Sequence, residues 1–138
     1  MFSVTSQTQN NLRVLPGKAE MWSDNDGISW LKFLPDSEIS EEDMRRVIDL
    51  SLITIKPGEH FRVIADITEM ASISDGARSY AAGKNLGHIY EALAIVAASP
   101  ATRLVANFFI RFHKPPRPVK IFKTAREAKK WLLKYKAE

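Results

Sequence analysis

Apolar and polar positions along this chain follow two periods, and the switches between them mark its elements. Ala19 to Ser23 and Ile28 to Leu34 read as strands. Asp24-Asn25-Asp26-Gly27 joins them, and its Asp-Gly pair supplies the positive φ that a tight hairpin needs. In the second strand Ile28, Trp30, Lys32 and Leu34 share one face, and Leu31 and Phe33 the other. Both faces are largely apolar, which predicts cover on both sides. Ser40 opens a first helix, with Glu41, Glu42 and Asp43 at the positive end of its dipole. Met44, Val47, Ile48, Ser51, Leu52 and Ile55 follow at steps of three and four, one stripe facing a core, until Pro57-Gly58 stops it. Phe61 to Ile67 is a β-branched run and a third strand.

Ser72 and Asp75 have the spacing of a capping box and open a second helix. Its stripe is thin (Ile73, Ala77, Tyr80, Ala81, Lys84), and Gly83 or Gly87 ends it. Glu91 to Ala98 is a fourth strand, apolar on both faces. Ser99-Pro100 starts a third helix, which carries Leu104, Val105, Phe108, Phe109 and Phe112. Pro115-Pro116-Arg117-Pro118 is an extended bridge to a short fifth strand, Val119 to Phe122. Thr124 and Glu127 cap a last helix with Ala128, Trp131, Leu132 and Tyr135 on one face. The order β-β-α-β-α-β-α-β-α implies an α/β fold with a mixed, mostly parallel five-stranded sheet and four helices. Residues 1–138 read as a single domain, with a polar, frayed tail over residues 1–12.

Composition narrows the function classes. At 138 residues and 45% apolar, the chain can bury a core of ordinary size. No apolar run approaches the roughly 18 residues of a membrane span. The start lacks the basic and apolar segments of a secretory signal, so a cytoplasmic location is the expectation. With no cysteine, disulfides, thiolate catalysis and cysteine metal sites are excluded. The net charge of +4 hides an asymmetry: residues 1–98 carry a net of −5 and residues 99–138 a net of +9. A basic segment of that kind suits an acidic partner, anionic lipid or nucleic acid. The simpler expectation is that it folds back on the acidic half of the same domain. Weak contact with a membrane surface stays open, and nucleic acid is the weaker reading.

Candidate chemistry concentrates between Thr68 and Arg78, where a strand meets a helix through hydroxyls and a carboxylate. Open α/β sheets place their sites at such junctions, outside the carboxyl ends of parallel strands. Thr68, Ser72, Ser74, Asp75 and Arg78 are the residues to hold a partner or ligand there. Arg78 lies one turn beyond Ser74 and can pair with Glu69 or Asp75. His60, His88 and His113 have no neighbour at metal-ligand spacing, so no metal site is expected. Ser74, His88 and Asp66 offer the residue types of a triad without a nucleophile elbow, so no catalytic residues and no cofactor are assigned. Phe108 and Phe109 sit about 100° apart on an ideal helix. One of them must leave the core stripe, and Phe109 is the candidate for a pocket or dimer surface.

The segment Asp66-Ile67-Thr68-Glu69-Met70-Ala71-Ser72-Ile73-Ser74-Asp75-Gly76-Ala77, set in this element order, resembles the STAS family of bacterial anti-sigma-factor antagonists. That family has an aspartate ending the third strand, alternating apolar residues, and then Asp-Ser-Ser-Gly opening a helix. Asp66, Ile67, Met70 and Ile73 match its spacing. Ser74 falls on the family's aspartate, Asp75 on the serine that partner kinases phosphorylate, Gly76 on the second serine and Ala77 on the glycine. The chain is more similar still to small SpoIIAA-like proteins grouped with STAS and the lipid-binding SEC14/CRAL-TRIO domains. Ala77-Arg78-Ser79-Tyr80, Ser99-Pro100, Pro118 to Phe122 and Trp131-Leu132 carry that likeness.

The resemblance implies a non-enzymatic regulatory or scaffold module that docks a protein partner around Thr68 to Arg78. With Asp75 at the phosphorylated position, the chain keeps the family's frame and loses its phosphoacceptor, and Asp75 would hold a permanently charged, partner-facing state. Ser74 is a separate candidate phosphoacceptor, since a phosphate there sits near a helix N-terminus. The alternative is a SEC14-like domain that binds a small lipophilic or anionic ligand between the sheet and the aromatic-rich third helix. A homodimer is compatible with the surplus of aromatics.

Overall fold

A computed structural model describes residues 11–53, 61–83 and 90–135. Ile55, Pro57, Gly58, His60, Lys84, Gly87 and His88 lie outside the described residues, as does the tail up to residue 10. The strands are β1 (Arg13–Leu15), β2 (Ala19–Ser23), β3 (Ile28–Phe33), β4 (Glu38–Ile39), β5 (Arg62–Asp66), β6 (Ser72–Ile73), β7 (Ala92–Val96) and β8 (Val119–Phe122). The helices are α1 (Glu41–Ile53), α2 (Asp75–Ala81), α3 (Pro100–Phe108, continued by a π-helical turn Phe109–His113) and α4 (Ala125–Lys134).

The main sheet runs β1-β2-β3-β5-β7-β8. Its first two pairings are antiparallel and the other three parallel. It has six strands where five were expected. The added strand, β1, is three residues long, and Gly17 at φ 73° turns it into β2. A separate parallel pair, β4 with β6, is two residues wide. The predicted hairpin is present. Gly27 takes φ 79°, and Asp24 Oδ1 accepts hydrogen bonds from the backbone N–H groups of Asp26 and Ile28.

Strand alternation sends side chains to two cores. Leu31, Phe33, Ile95 and Ala97 point to the face covered by α1, α2 and α3. Ile28, Trp30, Ile64, Ala92, Ala94 and Val96 point to the face covered by α4. Three helix starts follow the sequence. Ser40 Oγ accepts from Asp43 N while Asp43 Oδ2 accepts from Ser40 N, a reciprocal box. Ser99 caps α3 with Pro100 in its first turn, and Thr124 Oγ1 accepts from Glu127 N.

The start of α2 differs from the expectation. Its cap is Ser74, whose hydroxyl accepts from Ala77 N at 3.0 Å, and not Ser72. Ser72 belongs to β6, paired with Glu38. Both serines precede the helix, and the local spacing suits either. The pairing of β6 with β4 takes Ser72 and Ile73 out of the helix and leaves the cap to Ser74. Ser37 O also accepts from the N–H groups of Ala71 and Ser72, and Ile39 O from Ser74 N.

Candidate functional site

Of the polar residues of the Thr68–Arg78 junction, Arg78 and Asp75 meet, and the others bond chiefly to nearby backbone groups. Asp66 Oδ1 accepts from Thr68 N at 3.0 Å, and Thr68 Oγ1 lies 3.3 Å from Ala98 N, which donates to it. Ser74 Oγ is occupied as the α2 cap. Arg78 donates through Nη1 to Ile73 O at 2.6 Å, and its Nη2 stands 3.7 Å from Asp75 Oδ1. Glu69, the other partner expected for Arg78, lies instead 3.9 Å from Lys32 Nζ. His113 Nε2, from the π-helical turn, stands 3.4 Å from the same Asp75 oxygen. Ser72 is exposed, and the Asp75 side chain is 77% exposed. Gly76 is close-packed: a Cβ there would stand 2.7 Å from Glu41 Oε1 at the start of α1.

Beneath this junction lies a cavity of about 130 Å³. Its floor is the α1–α2–α3 face of β3, β5 and β7, through side chains such as Leu31, Val63 and Leu93. Met44 and Ile48 of α1 and Val105 and Phe109 of α3 border it, and it is partly open to the surface. The lining is apolar apart from Ser51, Arg78 and Tyr90. Ser51 turns its hydroxyl to Val47 O within α1. Arg78 Nε and the Tyr90 hydroxyl are buried and have no hydrogen-bond partner among the described residues. Burial pushes the Tyr90 hydroxyl up to about 12, against the opposing charge of Arg117. An unpartnered buried hydroxyl costs about 1–3 kcal/mol.

Phe109, expected at a pocket or a dimer surface, is 5% exposed and lines this cavity. The aromatics that leave the core are Phe108 and Phe112. Sequence reasoning did not reach Tyr90, because an isolated tyrosine before a strand carries no local signal of burial. Among the described residues, no group of His, Asp and Glu is placed to hold a metal ion.

The family model for a domain of unknown function, DUF7793, matches residues 21–136. The chain belongs to the DUF7793 family. Among solved structures it is similar to an uncharacterized protein of the DUF3478 family with a SpoIIAA-like fold from Shewanella loihica PV-4. The two are 19% identical with a TM-score of 0.60, over 83% of this chain and 91% of that one. This DUF7793 chain therefore has the SpoIIAA-like fold that its element order suggested. No curated protein sequence matches it. No helix among the described residues is long and apolar enough to cross a membrane.

Proposed function

We propose that this DUF7793 domain binds a compact lipophilic molecule carrying one polar group. The observation that supports the reading is the apolar cavity of about 130 Å³, bordered by Tyr90 and Arg78, two residues with buried polar atoms that have no hydrogen-bond partner among the described residues. An apolar cavity of roughly 150 Å³ takes up benzene-sized guests and stays dry without them. A ligand of that class, a single ring or short chain, would restore the missing packing. Its polar atom would draw the buried Tyr90 hydroxyl or Arg78 Nε toward the cavity. The role is binding, without catalysis.

Native mass spectrometry of the protein from its own cell tests this, with a melting curve before and after organic extraction. Bound small-molecule mass and a lower melting temperature after extraction are the expected result. Tyr90→Phe should leave the extracted protein as stable or more stable, since it removes an unpaired hydroxyl, and should weaken ligand retention about tenfold. A protein that carries no small molecule and melts identically after extraction would overturn the reading.

A second reading has its own support in the exposed Asp75 and Ser72 beside the α2 start. On that reading the junction docks a regulatory protein partner and Asp75 supplies a standing negative charge. Asp75→Ala should then release a partner captured from native lysate without moving the melting temperature by more than about 2 °C.

A further inference from the structure

One face of α3 is left to solvent. Leu104, Phe108 and Phe112 follow at four-residue steps and are 71%, 39% and 69% exposed. Side chains at that spacing are neighbours on one helix face. The π-helical turn does not break the row, since the Phe108 and Phe112 rings stack with centroids 4.4 Å apart. Surfaces commonly carry single apolar side chains, whereas a contiguous row marks something that is covered.

Charge selects what covers it. There is no acidic residue from Ser99 to Arg126. The basic segment folds back on the acidic half only in part: Lys129 reaches Asp24 and Asp26. Arg111, on the same exposed face, and Lys114, just past its end, have no ion-pair partner among the described residues. The exposed Asp75 next to this face is answered by Arg78 within the domain. A second copy packed through the same row would bring the two sets of cations together.

We propose that this face of α3 rests on an anionic lipid surface. Leu104, Phe108 and Phe112 enter the boundary between headgroups and acyl chains, and Arg111 and Lys114 meet lipid phosphates. Interfacial helices bind through this combination of buried apolar area and attraction to anionic lipid. Each cation near such a surface contributes about fivefold in affinity. The proposal stands on the outer face of α3 and does not rest on the cavity reading.

The test is flotation of the full chain with vesicles of phosphatidylcholine alone and with added phosphatidylglycerol, alongside light scattering for mass in solution. Binding should require phosphatidylglycerol and fall as salt is raised. Phe112→Ser and Leu104→Ser should each weaken it about tenfold. Arg111→Gln should weaken it about fivefold. Both apolar positions are exposed, so if one variant fails to fold the other carries the test. Four results would overturn the proposal: no binding to either vesicle, equal binding to both, vesicle binding unchanged in Leu104→Ser and Phe112→Ser, or a dimer that these variants convert to monomer.

Discussion

The two faces of the main sheet are built to different standards of closure. On one, α4 is the only helix among the described residues to cover β3, β5, β7 and β8. Ala92 and Ala94 are wholly buried there and allow the helix close approach, and Ala128 and Leu132 fill the seam. Hydrogen bonds and ion pairs then fasten it. Lys129 Nζ lies 3.0 Å from Asp24 Oδ2 and 2.8 Å from Asp26 Oδ2, Trp30 Nε1 donates to Asp24 Oδ2, and Arg62 Nη1 donates to Leu132 O in the last turn of α4. On the other face three helices share the cover and leave the cavity. α1 and α2 each follow a strand of the separate β4–β6 pair, so contacts outside the main sheet as well as those on it set where they seat.

The largest expected effect tests that contrast directly. Leu132→Ala should cost about 3–4 kcal/mol, because the seam around it is closed and a void would stay. Leu93→Ala on the cavity wall should cost about half as much, since its side chain already borders empty space. Denaturant unfolding of both variants measures the difference, and equal losses would break the comparison.

Next in size is Asp24. Burial pushes its carboxyl up, but hydrogen bonds from Trp30, Lys129, and the N–H groups of Ile28 and Asp26 outweigh that and hold it below the ordinary 3.8. Its stabilisation is therefore fully present above that value and is lost as pH falls through the lower folded value. Asp24→Asn should cost about 2 kcal/mol at neutral pH and flatten the acid limb of the stability curve. An acid limb identical to that of the parent chain would show that the α4 fastening is cosmetic. Tyr90 on the cavity side behaves oppositely. Its raised value keeps its contribution intact below the ordinary 10.0 and removes it as pH climbs toward about 12.

The smallest effect separates two serines. Ser74→Ala should cost about 1 kcal/mol as a lost helix cap, and Ser72→Ala less than about 0.5 kcal/mol. Thermal melts of the pair decide it, and the reverse order would return the cap to Ser72.

Much of this fold was legible in local pattern. The hairpin turn at Asp26-Gly27, the caps at Ser40, Ser99 and Thr124, and the alternation of strands with helices all rest on short-range rules, and each is present. Those rules bind residues within four or five positions of one another, so a sequence displays them whole. Strand β1 escaped because three residues before Pro16-Gly17 carry no resolvable period. The β4–β6 pair escaped because two residues are a strand only when another loop lies beside them. The same pairing decided which serine caps α2.

Helical geometry by itself determined that Phe108 and Phe109 part company. Only the tertiary structure decided that Phe109 goes in, Phe108 and Phe112 stay out, and Tyr90 is buried with its hydroxyl unpaired. The cavity belongs to the same class of fact. Periodicity says which face of a helix is apolar. How closely three such faces can seat on one sheet is a property of the assembled fold.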